Sequence, residues 1–275
     1  MPKTARRLLP ILGMVFLLIA LCAAGAWRGR HRIEGEMVAA LDLFCGPQTP
    51  AAPVVRVPER LVAHAGGAVN GVAYTNAREA LDQHYAAGYR VFELDFDWTS
   101  DGRLVVVHDW TSAAAAFGLP AHVLGYDEFI HATRRDGLHQ MSFEDLSAWL
   151  RAHRDAYVVT DTKASNPRLL TWLAANGGDI LPQLIVQIYR LTELDAARRL
   201  GPRAVWLTVY RYSYPAWALK RISGVDAMVI PVESYLRYSS VISAAKVPFY
   251  VHSVAAAKVD ETFRRLPGIY GIYVD

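Results

Sequence analysis

Short apolar runs rich in β-branched residues alternate with helix-type segments along most of the chain. Eight such runs are "LVAHAG", "RVFELDF", "YVVTDTK", "LIVQIY", "AVWLTVY", "AMVIPV", "PFYVHSV" and "GIYGIYV". Segments with apolar residues at three- and four-residue spacing lie between most of them, and several end in glycine. This alternation predicts a TIM-type (β/α)8 barrel of parallel α/β architecture. A doubly wound open sheet is the alternative that the same pattern allows.

Two irregularities modify the barrel pattern. "RLVVVHD" is an extra strand-like run directly after the second strand, and residues 109–140 are too long for an ordinary loop. We therefore expect an insertion after the second strand, on the side of the barrel that carries the active site. No helical segment follows the last strand, and we expect the segment before the barrel to cover that gap.

The N-terminal region predicts a membrane segment. Lys3, Arg6 and Arg7 precede an uncharged stretch from Leu8 to Trp27, and roughly 20 apolar residues suffice to cross a bilayer. The stretch is longer than the core of most signal peptides, which favours a retained transmembrane anchor. A cleaved signal peptide is the alternative, because Ala24-Gly25-Ala26 offers a small-x-small cleavage site.

These features divide the chain into three parts. Residues 1–30 are a signal anchor or signal peptide, residues 31–59 a juxtamembrane helix and Pro-rich spacer, and residues 60–275 the barrel domain. We expect the N-terminal helix to hold the protein in a bacterial-type inner membrane, with the barrel in the periplasm or outside the cell. If the segment is cleaved, the protein is secreted.

Composition excludes some partners and scaffolds. The chain has 275 residues and a formal net charge of +3, and no long basic run indicates binding to nucleic acid. Its two cysteines, Cys22 and Cys45, are too few for a disulfide scaffold.

The second predicted strand carries an acidic residue at every second position. Glu93, Asp95 and Asp97 alternate with Phe92, Leu94, Phe96 and Trp98. Successive side chains of a strand point to opposite faces, so the carboxylates share one face and the apolar side chains share the other. Buried carboxylates are normally paired, protonated or bound to a metal. The arrangement predicts a bound cation, with ion pairs to Lys163 and Arg90 as the alternative.

Polar side chains interrupt the strand-like runs near their carboxyl ends, where barrels carry catalytic groups. They are His64, Glu93, Asp95, Asp161, Lys163, Gln187 and His252, and His108 ends the extra run. Glu93, Asp95 and Asp161 offer the hard oxygen ligands that Mg²⁺ and Ca²⁺ prefer, so we expect them to bind one of these ions. Gln187 and His252 are expected to line the pocket and bind substrate. A hydrogen-bonded core histidine is the alternative interpretation of His64 or His108.

Motifs around these residues resemble those of the glycerophosphodiester phosphodiesterases, relatives in fold of the phosphatidylinositol-specific phospholipases C. That family has His-Arg-Gly, Glu-Asn-Thr, Glu-x-Asp, Thr-x-Asp-Gly, His-Asp and Glu-x-Lys in this order. This chain has "HAGG" from His64, "TNA" from Thr75, "ELD" from Glu93, "TSDG" from Thr99, "HD" from His108 and "DTK" from Asp161. The resemblance extends from Leu61 to Asp275, and the block from Glu-x-Asp to His-Asp is its most specific part.

The resemblance implies metal-dependent hydrolysis of a small-molecule or lipid-derived phosphodiester at the mouth of a barrel. It implies that His64 and His108 are the general acid and base, and that Glu93, Asp95 and Asp161 hold the metal. It also implies that Asn76 and Lys163 are substrate contacts. Two other functions stay open, namely a non-catalytic membrane-tethered binding barrel and a phospholipase C- or D-type lyase that acts on an intact lipid.

The chain departs from the family at several substrate-contacting positions. Ala65 replaces the arginine beside the first histidine, and Asp161 is shorter than the family's glutamate. Without that arginine's paired hydrogen bonds to phosphate, more of the binding has to come from the rest of the substrate. Aromatic residues near the strand ends are candidate stacking surfaces, namely Trp110, Tyr189, Tyr210 and Tyr212.

Overall fold

A closed barrel of eight parallel strands forms the centre of the computed structural model, which describes residues 30–45, 54–212 and 214–275. In order around the barrel the strands are β1 (Leu61–Ala63), β2 (Val91–Trp98), β5 (Tyr157–Thr162), β6 (Leu184–Ile188), β7 (Ala204–Thr208), β8 (Ala227–Pro231), β9 (Phe249–Val254) and β10 (Gly271–Val274). β1 pairs in parallel with both β10 and β2, which closes the sheet. The predicted TIM-type barrel is therefore confirmed, and an open doubly wound sheet is excluded.

Alternating side chains of the strands build two apolar layers, one inside the barrel and one beneath the helices. On β2, Phe92 and Leu94 belong to the outer layer and Val91 to the inner one. Glu93 and Asp95 follow Val91 at two-residue spacing, so they point into the barrel. The predicted division of β2 into an apolar face and a carboxylate face is confirmed.

Helices follow most of the strands and cover the outside of the barrel. They are α2 (Arg78–Ala86), α5 (Phe143–Ala152), α6 (Asn166–Asn176), α7 (Leu194–Arg199), α8 (Ala216–Leu219), α9 (Tyr235–Ile242) and α10 (Val259–Arg265). Local sequence explains where they begin. At the start of α5, Asp145 N–H donates to Ser142 Oγ and Ser142 N–H donates to the Asp145 carboxylate, a capping box that satisfies two free backbone donors.

The segment between β2 and α5 is an insertion with a small apolar core of its own. It contains β3 (Leu104–Val106), antiparallel to β2, then α3 (Trp110–Phe117), α4 (Tyr126–His131) and β4 (Met141–Ser142), antiparallel to β3. Val105, Ala114, Leu124 and Phe129 are buried together in this core. The extra strand and the insertion predicted from the sequence are both present.

A helix that precedes the barrel, α1 (Arg30–Phe44), packs beside the segments that follow β6 and β7. Asp42 is fully buried at this contact. Its carboxylate accepts hydrogen bonds from the Arg190 guanidinium at 2.9 and 2.7 Å, from Leu191 N–H at 2.7 Å and from the Tyr214 hydroxyl. α1 was predicted to lie in a segment outside the barrel domain. In the structure it packs against the barrel. Because β6 and β7 lie across the barrel from β10 and β1, α1 does not cover the gap after the last strand.

The predicted membrane anchor or signal peptide, Leu8 to Trp27, lies outside the described residues, as does the middle of the Pro-rich spacer, residues 46–53. Among the helices that the structure describes, none has the length and apolar character needed to cross a bilayer.

The end of the spacer closes the amino end of the barrel. Val55 N–H donates to Asp226 Oδ1 at 2.8 Å, and Val57 joins the inner apolar layer.

Replacing Asp42 with Ala should destabilise the protein, because the Arg190 guanidinium, Leu191 N–H and Tyr214 hydroxyl would lose their common acceptor. Removing one partner of a buried ion pair costs about 3–5 kcal/mol. Thermal unfolding followed by circular dichroism measures the change, with the exposed Asp260→Ala variant as the matched control. An unfolding temperature equal to that of the control would contradict this account of how α1 is held.

Candidate active site

One cavity of about 230 Å³ opens at the carboxyl ends of the strands and collects most of the residues singled out in the sequence. The predicted residues that line it are His64, Glu93, His108, Asp161, Lys163, Gln187 and His252. Asp95 and Asn76 are buried next to this wall, in contact with each other. The structure therefore brings the nine predicted residues into one region, while their individual roles stay predictions.

Three carboxylates converge on one wall of the cavity. Glu93 and Asp95 project inward from β2, and Asp161 lies opposite Asp95 in the parallel register of β2 and β5. One oxygen atom from each of the three lies within 4.8 Å of the others, and all three side chains are at least 95% buried. Asn76 orients Asp95, because its amide donates to Asp95 Oδ2 at 2.9 Å and its carbonyl accepts from Asp95 N–H at 3.0 Å.

The clustered carboxylates carry more negative charge than the protein neutralises. The pKa of Glu93 is raised to about 8, mainly by burial and secondly by the negative charge of Asp95. Lys163 Nζ lies 3.3 Å from Asp95 Oδ1 and 2.5 Å from Asp161 Oδ2. Although burial disfavours its charged form, these carboxylates raise the pKa of Lys163. Hard oxygen donors this close together fit a divalent cation such as Mg²⁺ or Ca²⁺.

The ion pairs proposed as the alternative to a cation are only partly present. Lys163 does pair with the acidic cluster, but Arg90 does not. Its Nε instead donates to Asp155 Oδ2 at 2.7 Å on the outside of the barrel. Glu93 has no cationic partner besides the neighbouring His64 in the described part of the chain, where its Oε2 accepts a hydrogen bond from Ala65 N–H at 3.0 Å.

Uncharged donors surround Asp161. Gln187 Nε2 donates to Oδ1 at 2.9 Å, the Tyr210 hydroxyl lies 2.6 and 2.8 Å from the two carboxylate oxygens, and the Tyr189 hydroxyl also donates to Oδ1. Burial alone would raise the pKa of Asp161, but the charge and hydrogen bond of Lys163 and the hydrogen bond from Tyr210 lower it. Tyr189 is thus occupied with a carboxylate instead of offering a stacking surface, and Trp110 packs in the core of the insertion.

His64 is held by an aspartate at the end of the last strand. Its Nδ1 donates to Asp275 Oδ1 at 2.5 Å, and its Nε2 faces Glu93 Oε2 at 3.6 Å. Burial disfavours the imidazolium, but the hydrogen bond to Asp275 and the charge of Glu93 outweigh it and raise the pKa of His64. Asp275 was not among the predicted site residues, although an acid that directly follows a barrel strand is the same signal that identified the other residues.

His108 is held in the same way by its neighbour in the chain. Its Nδ1 donates to Asp109 Oδ2 at 2.9 Å, while Asp109 Oδ1 accepts from Ser112 N–H at 2.8 Å and caps the start of α3. Burial opposes ionisation of Asp109, but His108 and Ser112 lower its pKa to about 2. In both histidines an aspartate takes Nδ1–H and leaves Nε2 available for proton transfer.

Tyr74, which was not predicted as a site residue, lies between the two histidines. Its ring is 4.7 Å from the ring of His64 and 5.5 Å from that of His108, between ring centres. The residue has a φ of 60°, in the left-handed region, and follows a tight turn closed by paired backbone hydrogen bonds between Val69 and Val72. An exposed aromatic ring therefore forms part of the mouth of the cavity.

Replacing Asp275 with Asn should lower the pKa of His64, which burial opposes and which Asp275 and Glu93 raise in the wild type. The substitution removes the negative charge that favours the imidazolium, whereas burial, which disfavours it, remains. Histidine side-chain NMR of the metal-free protein across a pH titration measures the pKa, with a His64→Gln variant to assign the resonance. A His64 pKa equal to that of the wild type would show that Asp275 does not control its protonation.

Comparisons with known proteins identify the fold. The sequence matches no protein-family model and no curated protein. Solved structures do match. A glycerophosphodiester phosphodiesterase from Thermotoga maritima superposes with a TM-score of 0.57 at 19% identity, over 82% of this chain and 96% of that chain. One from Parabacteroides distasonis gives a TM-score of 0.58 at 15% identity, over 78% and 92% of the two chains.

A third solved structure contains a bound product. It is an Oleispira antarctica phosphodiesterase in complex with sn-glycerol-3-phosphate, with a TM-score of 0.57 and 13% identity over 78% of this chain and 92% of that chain. At these identities the likeness concerns the fold. The chain therefore has the barrel fold of the glycerophosphodiester phosphodiesterases, as the motifs predicted.

Proposed function

We propose that the protein is a metal-dependent hydrolase of a glycerophosphodiester or a related phosphodiester. One observation carries the proposal: two imidazoles, each tied at Nδ1 to an aspartate, share a cavity with three clustered, buried carboxylates. Cleavage of a phosphodiester needs a proton removed from the nucleophile, a proton delivered to the leaving oxygen, and compensation of negative charge at phosphorus. The shared fold supports the same reaction class.

Glu93, Asp95 and Asp161 would hold the divalent ion, and Asn76, Gln187 and Tyr210 would orient two of these carboxylates. When bound, the ion supplies positive charge that offsets the negative charge growing on the phosphoryl oxygens. Lys163 adds a second cation at the same wall, because its Nζ lies between Asp95 and Asp161 and its pKa is raised. Ala65 contributes no charge, so Lys163 is the phosphate contact that the described residues offer here.

His64 and His108 would transfer the two protons. Asp275 and Asp109 fix the tautomer of each ring, so that Nε2 is the exchanging atom in both. One imidazole accepts a proton from the attacking water as the other donates a proton to the departing oxygen. If a neighbouring substrate hydroxyl attacks first, the resulting cyclic phosphate is opened by water in a second step of the same kind. Because the Tyr74 ring touches both, the two histidines flank the same part of the cavity mouth.

A substrate panel tests the proposal with the full-length protein. Release of the alcohol is measured for glycerophosphocholine, glycerophosphoinositol, a lysophospholipid and an intact phosphatidylinositol, each with Mg²⁺, with Ca²⁺ and with a chelator. We expect ion-dependent release from at least one glycerophosphodiester. Release from the intact lipid alone would favour the lyase, and ion binding without any release would favour the non-catalytic barrel; either result would overturn the proposal.

We also propose that the barrel is held at a membrane surface outside the cytoplasm. In the sequence the uncharged stretch Leu8 to Trp27 ends three residues before α1 begins. On α1, Met37, Leu41 and Phe44 are exposed at helical spacing and form a short apolar stripe. α1 packs beside the carboxyl-end segments of β6 and β7, so this apolar stripe lies on the same end of the barrel as the cavity.

A topology reporter tests this location. A C-terminal fusion to an enzyme active only in the periplasm should be active, and the fusion should sediment with membranes and resist extraction at high pH. Activity of a reporter that works only in the cytoplasm would contradict the proposed location. A periplasmic fusion recovered entirely in the soluble fraction would instead support cleavage of the N-terminal segment.

A further inference from the structure

Asp42, on the helix that precedes the barrel, holds a segment that lies next to the proposed metal site. The residue is fully buried although α1 packs on the outside of the barrel. Two of its partners, the Arg190 guanidinium and Leu191 N–H, come from the segment that follows β6. Hydrogen bonds to an ionised carboxylate are short and directional. Asp42 therefore fixes the position of the segment after β6 relative to α1.

The residue just before Arg190 reaches the acidic cluster. Tyr189 directly follows β6 and is 1% exposed, and its hydroxyl donates to Asp161 Oδ1. The same hydroxyl accepts a hydrogen bond from Thr162 N–H at 2.9 Å. The Tyr189 side chain is therefore fixed to β5 at its hydroxyl end, while its backbone is joined to the two residues that Asp42 holds.

Further hydrogen bonds connect the backbone of this segment to its surroundings. Tyr189 N–H donates to Glu193 Oε2 at 2.9 Å, and Glu193 Oε2 also accepts from the Asn166 side chain at 2.7 Å. The Tyr214 hydroxyl donates to Asp42, and its oxygen lies 3.5 Å from Tyr189 O. A continuous series of bonded groups thus connects α1 to the acidic cluster.

The position of Tyr189 matters because Asp161 would be a ligand of the ion. Groups that hydrogen-bond a metal-binding carboxylate orient it, and their loss typically costs about 10–100-fold in metal affinity. A binding constellation has to be held to within roughly 0.5 Å of its productive geometry. Without the Asp42 carboxylate the segment after β6 loses two contacts, and a shift of that size would misalign the Tyr189 hydroxyl with Asp161.

We propose that Asp42 is a positioning residue for the metal site. Docked through Asp42, α1 holds the segment after β6 so that the Tyr189 hydroxyl orients Asp161, and the ion affinity of the barrel therefore depends on a helix outside it. The inference rests on the proposed metal-dependent function. α1 precedes Leu61, where the resemblance to the family begins, and in the sequence it starts three residues after the uncharged stretch Leu8 to Trp27. The predicted anchor is thus adjacent in sequence to the helix that positions a metal ligand.

Ion binding measures this dependence without requiring turnover. Isothermal titration calorimetry with Ca²⁺, and with Mg²⁺ in a parallel series, gives the Kd of the full-length protein. Tyr189→Phe should weaken ion binding about tenfold, the low end of the usual effect, because Gln187 and Tyr210 still hold Asp161. Asp42→Asn keeps the size of the side chain and removes its charge, and it should weaken ion binding about fivefold, as expected for coupling between two sites.

A second buried aspartate supplies a matched control. Asp226 is fully buried, like Asp42. It pairs with the Arg198 guanidinium at 2.7 Å and accepts hydrogen bonds from the N–H groups of Val55 and Val205. Because Asp226 directly precedes β8, it lies at the amino end of the barrel, whereas the cavity opens at the carboxyl end. Asp226→Asn should lower the unfolding temperature about as much as Asp42→Asn and should keep the wild-type Kd for the ion.

Two further measurements test whether the effect passes through Tyr189. Once the Tyr189 hydroxyl is gone, Asp42→Asn should weaken ion binding little more, so the double variant should match Tyr189→Phe to within about twofold. Arg190→Lys is a milder change, because it keeps the positive charge but cannot donate two bonds to Asp42 Oδ1. It should also weaken ion binding, whereas its control, Arg198→Lys beside Asp226, should not.

The outcomes separate the positioning role from the proposed function. If the ion Kd is unchanged in Asp42→Asn and Arg190→Lys, the positioning role is wrong, even in a protein that hydrolyses a phosphodiester. An equal loss of affinity in Asp226→Asn, or effects of Asp42→Asn and Tyr189→Phe that multiply in the double variant, would overturn it as well. A wild type that binds neither ion would reject the metal site and the positioning role together. The expected Kd changes in a protein that hydrolyses no phosphodiester would support the positioning role and reject the catalytic proposal.

Discussion

Replacing Glu93 with Gln should stabilise the metal-free protein at pH 8 and abolish its stabilisation by Mg²⁺ or Ca²⁺. The pKa of Glu93 is raised from 4.5 to about 8 by burial and by Asp95. Between these values the folded protein retains a proton that the unfolded chain has released, so the stability of the metal-free form falls as the pH rises through this window. The amide removes the charge that causes this loss and keeps an oxygen for Ala65 N–H.

The same charge is what a divalent ion would offset. An ion that binds only the folded state at 100 times its Kd stabilises by about 2.7 kcal/mol, and roughly 2–4 °C of Tm corresponds to each kcal/mol in a protein of this size. Thermal unfolding with added ion and with a chelator, at pH 5 and pH 8, measures both effects. The exposed Glu144→Gln variant is the control. If the Glu93→Gln protein kept the full ion-dependent rise in Tm, the proposal that Glu93 helps to bind the ion would be wrong.

Substitution of His64 or His108 by Gln should lower kcat for a glycerophosphodiester by about 10²–10⁴ each, the usual contribution of a general acid or base. Glutamine can still form hydrogen bonds but cannot exchange a proton near neutral pH. KM should change little in either variant. The ion-dependent rise in Tm should change little in His108→Gln, because His108 is bonded to Asp109 and not to the carboxylate cluster. The double variant should be scarcely slower than the slower single variant, since the pair acts as a unit.

A surface histidine supplies the control for this comparison. His131 is exposed on α4, where its Nδ1 bonds to Asp127 O, so His131→Gln should keep the wild-type rate. If either His64→Gln or His108→Gln retained the wild-type kcat, that residue would not take part in proton transfer. The structural alternative for it, a hydrogen-bonded histidine beside the cavity, would then be the correct one.

The sequence predicted the barrel because its evidence is local and repeated. Each strand is a short apolar run, and its length and periodicity can be recognised in a single sequence. The alternation in β2 also shows directly which side chains face inward. The polar residues that interrupt these runs were found for the same reason. They lie at strand ends, and in a parallel barrel all strand ends meet on one face.

Contacts between distant parts of the chain were beyond this reasoning. Asp275 reaches His64 across 211 positions, and the Tyr210 hydroxyl reaches Asp161 across 49. Asp42 resembles a surface residue of an amphipathic helix, yet it is buried because Arg190, from another segment, neutralises it. Tyr74 was missed because an isolated aromatic residue in a loop has no periodic pattern that would reveal what it contacts.

The most direct test of the central claim is a ³¹P NMR time course of a glycerophosphodiester with the full-length wild type. With Mg²⁺ or Ca²⁺ present, we expect the diester resonance to decline and a phosphomonoester resonance to replace it, with or without a transient cyclic phosphate. A chelator, or the Glu93→Gln substitution, should leave the diester intact. A diester resonance that persists for every glycerophosphodiester tested, while the wild type demonstrably binds the ion, would contradict the assignment of this barrel as a phosphodiesterase.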